Sequence, residues 1–145
     1  MNWRTVAVDK LKDYQSRKIG VGNLKEEISE LKYRRRGISS PTGDGTPVTG
    51  GGSGREDTLL NSFAWQAELE ENLLIANRWV RRVEQGLSVL AEDERTIIDR
   101  FYIHPEKGAA ERLAMDLGID AKTVYHRKDR ALRKFTLAMY GITEG

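Results

Sequence analysis

The strongest constraint on the fold lies in residues 110–135, which read AERLAMDLGIDAKTVYHRKDRALRKF. At helical period this stretch predicts two helices joined by a tight turn. Gly118 follows the first helix, where glycine takes a left-handed backbone conformation without a steric penalty from a Cβ atom. Asp120 is placed to cap the second helix, and Thr123 supports the same first turn. The pattern therefore predicts a helix-turn-helix.

Apolar residues occupy the positions that two crossing helices need. Leu113 and Leu117 face inward from the first helix, Ile119 fills the turn, and Val124 begins the buried side of the second helix. Ala114 is small where the two helices must approach closely. The outward side of the second helix, which would reach a major groove of DNA, then carries Lys122, Thr123, His126, Arg127 and Arg130.

The basic residues are concentrated in one stretch of the chain, although its net charge is small. The formal net charge is only +2, but the stretch 122–134 holds six basic residues against the single acid Asp129. Such a run is the electrostatic footprint of a helix that faces phosphates. The charges alone are equally typical of a solvated helix face, so the helix-turn-helix pattern is what favours DNA.

The last sixty or so residues contain several short pieces that are found together in a known family: Glu94-Arg95, Ile97-Ile98, Phe101-Tyr102, Thr123-Val124-Tyr125 and the terminal Ala131-Leu132-x-x-Phe135. With these pieces the stretch resembles the fourth region of sigma-70 factors. It is more closely similar to phage-encoded regulators built on that region, the ArpU/RinA-type late transcription regulators.

The resemblance implies a transcription regulator of phage or prophage type that binds promoter DNA. In such a domain the start of the second helix enters the major groove, so Lys122, Thr123, His126 and Arg127 are expected nearest the bases. Later positions on that helix are expected at phosphates, and the first helix crosses the backbone. The residues expected at these phosphate and backbone contacts are Arg130, Arg133, Lys134 and Arg112.

The remainder of the chain predicts an all-α protein with a helical hairpin or coiled-coil-like region before the helix-turn-helix. Residues 1–36 read as two short helices, Trp3–Lys18 and Asn23–Arg36, separated at Ile19-Gly20-Val21-Gly22. Residues 37–55 read as a flexible glycine-rich loop. Residues 56–86 read as one long amphipathic helix. Residues 87–145 are expected to form the DNA-binding domain, which opens with a helix over Leu87–Ile103 that ends before Pro105. Its final helix is expected from Ala121 to about Tyr140, with a stop at Gly141, and its later apolar residues form a patch wide enough to meet the long helix: Leu132, Phe135, Leu137, Ala138 and Met139.

The long helix carries an apolar stripe that recurs at three or four residues from Leu59 to Leu87. The shorter Asn23–Arg36 helix covers only about half of it, at 1.5 Å per residue. The uncovered remainder is expected to pack on Trp3–Lys18, on the C-terminal domain or on a second subunit. We predict the last of these, a homodimer with Phe63, Leu73 and Val80 near the contact. A second expected partner is host RNA polymerase, through the N-terminal helices.

Several classes of function are disfavoured. The absence of cysteine removes disulfides, thiol catalysis and the usual zinc sites, and the two histidines and scattered acids build no catalytic constellation. We predict no enzyme, no cofactor, no bound metal and no membrane segment, and a location in the cytoplasm of a bacterial host.

Two alternatives share the helix-turn-helix. A small terminase subunit also combines it with an oligomerising helical region and binds packaging-site DNA; a ring of eight or more subunits would favour that class. A module that binds RNA polymerase through the same surface is the other. The sequence leaves the operator and the sign of regulation open.

Overall fold

The computed structural model describes residues 1–39 and 52–143. Within them every regular element is helical and there is no strand. The helices are α1 (Trp3–Ser39), α2 (Gly52–Ser88), α3 (Glu92–Ile98), α4 (Ala109–Leu117) and α5 (Ala121–Tyr140), and a π-helical turn at Asp99–Ile103 continues α3. The expected all-α class is confirmed for the described residues. In this part of the chain no helix is long and apolar enough to cross a membrane.

The predicted break in the N-terminal helical region is wrong. The sequence predicts a break at residues 19–22, whereas α1 runs through them without interruption. Gly20 and Gly22 keep helical backbone angles, although each costs about 1 kcal/mol relative to alanine in a helix interior. The buried residues Ala7, Tyr14, Val21 and Ile28 recur at seven-residue intervals along α1. This continuous stripe crosses the glycines, and its burial offsets their low helix propensity.

The glycine-rich segment is shorter than predicted at both ends. The sequence assigns residues 37–55 to a loop, but α1 extends to Ser39 and α2 already begins at Gly52. Residues 40–51 lie outside the described residues, so the flexibility predicted for them stays a prediction. The long helix predicted over 56–86 is present, and it is longer than expected.

The chain divides into two compact units. The first unit comprises Met1–Lys18 and Arg78–Gly145, and the second comprises Ile19–Asn77. In the second unit, the Arg35 guanidinium donates hydrogen bonds to Ser62 and Gln66 and lies 3.9 Å from the centre of the Phe63 ring. These contacts tie α1 to α2 within that unit.

The first unit holds the core around α3, α4 and α5. Ile97, Ala110, Leu113 and Val124 form a buried cluster that Phe101, Ala114, Leu117 and Ile119 surround. A second part of the core joins α2 to α5, where Phe135 is fully buried and lies directly against Gly86. The ring of Trp3 also packs against that of Tyr140, with 5.0 Å between centroids and the ring planes tilted by 37°.

The helix that leads into α4 differs in detail from the prediction. The sequence assigns Leu87–Ile103 to one helix, but α2 continues to Ser88 and α3 begins only at Glu92. Glu94 stabilises this start, since its Oε1 accepts a hydrogen bond from the Ala91 N–H at 3.0 Å. The predicted end before Pro105 is correct, because the π-helical turn ends at Ile103.

Candidate nucleic-acid interface

Two features define the turn between α4 and α5, a glycine that ends the first helix and a side chain that caps the second. Gly118 ends α4 with a φ of 65°, in the left-handed region that the sequence predicts for it. Asp120 then caps α5, because its Oδ1 accepts a hydrogen bond from the Thr123 N–H at 2.7 Å. Both predicted roles are confirmed. The connection is only three residues long, and it holds the two helices against the shared core cluster.

The cap at Asp120 is in place at neutral pH. The Thr123 hydroxyl lowers the pKa of this carboxyl most, and the Thr123 N–H lowers it further. A carboxyl whose pKa falls on folding contributes stability above its unfolded pKa and loses it only as pH falls through the folded value. The start of α5 is therefore capped wherever DNA binding is measured near neutrality.

One face of α5 is a row of exposed basic side chains. Lys122, His126, Arg130 and Arg133 follow one another at steps of four, four and three residues, so they share one side of the helix. All four side chains are exposed, and none makes a hydrogen bond or salt bridge to another described residue. We call these four residues the cationic row. Asp129, the one acid within α5, lies beside it, and its carboxylate is paired with Lys128 at 3.4 Å.

Two of the predicted DNA contacts lie on a different flank, where α5 meets α3. The Arg127 guanidinium is 3.6 Å from the Asp93 carboxylate, and the Lys134 Nζ is 3.0 Å from the Glu94 carboxylate. Glu94 is buried, and it also accepts from the Ala91 N–H. Lys134, predicted at a phosphate, thus ties α5 to the start of α3.

The remaining two predicted contacts lie at the edges of the surface. Thr123 is half-buried in the first turn of α5, where its N–H donates the capping hydrogen bond to Asp120. Arg112 is exposed on α4, and its guanidinium lies 3.2 Å from Glu106. Glu106 also lies 3.6 Å from Arg100, which bonds Asp116. The structure therefore brings four of the eight predicted residues together in the cationic row.

Sequence reasoning missed the acids that neutralise Arg127 and Lys134. The signal was present in Glu92-Asp93-Glu94, but Asp93 lies 34 positions before Arg127 and Glu94 lies 40 positions before Lys134. It also missed Lys128, whose Nζ lies 5.3 Å from the ring centres of both Phe101 and Tyr125. Within the residues that the structure describes, no group of three or more His, Asp or Glu side chains is arranged to hold a metal ion.

No family model, curated protein or solved structure matches this chain.

The Glu94–Lys134 pair gives the first prediction. Lys134→Met should lower the free energy of unfolding by about 1–2 kcal/mol, because it leaves the buried Glu94 carboxylate without its cation. The neighbouring Arg133→Met is the matched control: Arg133 is exposed and unpaired, so we expect a change within about 0.5 kcal/mol. Urea unfolding of both variants measures the difference. Equal stability of the two would show that Lys134 contributes nothing to the fold.

Proposed function

We propose that α3, α4 and α5 form a helix-turn-helix domain that binds double-stranded DNA, and that the protein is a transcription regulator of phage or prophage type. The observation that carries the DNA-binding part is the cationic row. Four exposed basic side chains, none of which makes a hydrogen bond or salt bridge to another described residue, run along the second helix of a capped helix–turn–helix pair. The resemblance to sigma-70 region 4 is what suggests transcription and phage.

The cationic row has the length that groove binding requires. From Lys122 to Arg133 the row spans eleven residues, or roughly 16 Å at 1.5 Å per residue. A major groove about 12 Å wide admits a helix of this kind, with its first turns near the base edges and its later turns near the backbone. We accordingly place Lys122 and His126 near the bases, and Arg130 and Arg133 at phosphates.

The two paired cations receive a changed role within this proposal. Arg127 reaches a base only by leaving Asp93, and Lys134 reaches a phosphate only by leaving the buried Glu94. Asp93 is about half exposed, so Arg127 exchanges its partner at lower cost than Lys134 does. We therefore keep Arg127 among the base-reading candidates and treat Lys134 as a residue that holds α5 in place.

The experiment that tests the proposal uses the purified full-length chain alone. A pool of random duplexes is selected for binding, and the enriched sequence is footprinted and titrated across a salt series. We expect one protected site, and a binding constant that falls steeply with salt because cations displace counterions from phosphates. A chain that protects no enriched site, and binds duplex DNA no better than a neutral protein does, would overturn the proposal. Because no polymerase is present, a footprint also separates DNA reading from the polymerase-binding alternative.

A further inference from the structure

In the second unit, α2 carries apolar side chains on two opposite faces. One face contains the buried Leu69 together with the half-buried Leu59 and Leu73. The other face is exposed along its whole length, and it consists of Leu60, Ala64, Ala67, Leu74 and Ile75, with the single acid Glu71 among them. We call this second set the open face. A helix that is apolar on both sides needs a second partner to remove the exposed side from water.

The open face is substantial. Leu60 is 66% exposed, Leu74 53% and Ile75 57%, and Phe63 at its margin is 54% exposed. Large side chains at this exposure offer on the order of 100 Å² of apolar surface each, so a pair of such faces buries about 1,000 Å² once the alanines are counted. That area is at the lower limit for a specific interface, which suits a weak, reversible dimer.

We propose that the open face binds the open face of a second copy of this chain, with the two α2 helices antiparallel and the two-fold axis near Ala67. Leu60 and Leu74 each lie seven residues from Ala67, so the axis places Leu60 of one chain opposite Leu74 of the other. The small Ala67 side chains meet at the centre, where they let the helices approach closely. The open face is therefore self-complementary under this two-fold axis.

Charge selects the antiparallel arrangement over a parallel one. Glu71 is exposed and lies on the open face between Ala67 and Leu74. A parallel pair in register would set Glu71 beside its own copy. The antiparallel pair separates the two carboxylates by about 12 Å along the helix axis, which exceeds the screening length of about 8 Å at physiological salt.

The antiparallel pair also gives Glu71 a partner of opposite charge. It brings Glu71 of one chain to the height of Phe63 in the other, four residues on the far side of Ala67. The ring of Phe63 carries the Arg35 guanidinium at 3.9 Å from its centre. Each end of the interface therefore combines a leucine pair with an acid that approaches a cation. This inference stands on the second unit alone and does not depend on DNA binding.

The dimer proposed here differs from the one that the sequence predicts. The predicted contact included Leu73 and Val80, which lie on the stripe opposite the open face. Val80 is buried inside the first unit, and Leu73 is half-buried. The structure thus moves the candidate contact to the other side of the same helix.

Because the chain contains no cysteine, site-directed disulfides test the arrangement directly. Leu60→Cys and Leu74→Cys chains, one carrying a size tag, are mixed and oxidised. We expect cross-linking of the mixed pair at least tenfold faster than of either chain with itself, because a disulfide needs Cα atoms within about 7 Å. Leu137→Cys, which is 53% exposed in the first unit, measures random collision. Cross-linking of 60 to 60 and 74 to 74 instead of 60 to 74 would overturn the antiparallel pairing.

Sedimentation over a concentration series tests whether the face drives association. The wild-type chain should dimerise in the micromolar range, and Leu60→Glu/Leu74→Glu should weaken the dimer at least tenfold. Leu60→Lys/Leu74→Glu should restore it in part, since the antiparallel pair sets each lysine against a glutamate. Val89→Glu/Leu137→Glu is the control, with two residues of similar exposure in the first unit. A wild-type chain that stays monomeric at 200 µM (roughly 5 kcal/mol of association free energy), or a dimer that tolerates both glutamates, would overturn the proposal.

Discussion

Replacing Lys122, Arg130 and Arg133 together by alanine should abolish specific DNA binding at moderate salt. We expect affinity for the selected duplex to fall at least about a hundredfold, which corresponds to roughly 2.7 kcal/mol. The reason is that all three cations are exposed and engaged by no other described residue, so their charge is available to phosphates and bases. The slope of the logarithm of the binding constant against the logarithm of salt should become shallower by about two, because Arg130 and Arg133 are the two members of the row that we place at phosphates.

The matched control removes the same charge elsewhere. Lys12, Lys25 and Lys32 are exposed on α1, and changing them to alanine also takes the formal net charge from +2 to −1. That variant should keep affinity within about threefold and leave the salt slope unchanged within error. Thermal melts of both variants check that folding is intact. Equal losses in the two variants would show that net charge, and not the cationic row, attracts DNA.

The individual residues of the row are expected to differ in what they contribute. Lys122→Ala should reduce binding to the selected site more than binding to random DNA, because our proposal places Lys122, in the first turn of α5, nearest the base edges. Arg133→Ala should weaken both duplexes alike. The ratio of the two affinities therefore separates residues that read sequence from residues that hold the backbone.

Local signals in the sequence are sufficient to define the C-terminal helices. Gly118 and Gly141 both adopt positive φ at the ends that the sequence assigns to their helices, and Asp120 makes the predicted capping bond. Each of these signals depends on the chemistry of one or two residues. Such signals act within a single turn, so they can be read without knowing the rest of the fold.

The failures share a different origin. Gly20 and Gly22 have a low intrinsic helix propensity, as the sequence indicates. The helix continues through them because burial of the apolar stripe that includes Val21 outweighs that propensity. The pairing of Lys134 with Glu94 joins residues forty positions apart, and the exposed side of α2 becomes evident only when the opposite side is seen to be covered. Burial and long-range pairing depend on tertiary packing, which the sequence pattern does not supply.

The sequence also predicts that the end of α5 packs on the long helix, but it does not predict which residues of its apolar patch make the contact. Leu132 and Phe135 are buried as expected, whereas Leu137 from the same predicted patch is exposed. The difference follows from helical period, because Leu137 falls on the side of the cationic row. The unforeseen element is Gly86, which lets the Phe135 ring lie directly on the backbone of α2.

Phe135→Ala should accordingly be among the most destabilising single changes in the first unit. The side chain is fully buried between α5 and α2, and its truncation leaves a cavity that two helices cannot close, so we expect a loss of about 3–5 kcal/mol. Leu137→Ala, two residues later and 53% exposed, should change stability by less than about 0.5 kcal/mol. Chemical unfolding followed by circular dichroism measures both. A Phe135→Ala variant as stable as Leu137→Ala would refute the packing of α5 on α2.

The contact between Gly86 and Phe135 gives a second prediction, on the interaction free energy between substitutions at these two positions. A Cβ atom at position 86 would lie 2.8 Å from the Phe135 Cε2 and 3.0 Å from the Met139 Sδ. Gly86→Ala should therefore cost about 1–3 kcal/mol in overpacking, of which the better helix propensity of alanine returns about 1 kcal/mol. Phe135→Leu removes the ring edge that causes the clash. The double variant should lose at least about 0.5 kcal/mol less stability than the sum of the losses in the two single variants, since substitutions at neighbouring sites are not additive. Strict additivity would mean that the ring does not rest on Gly86.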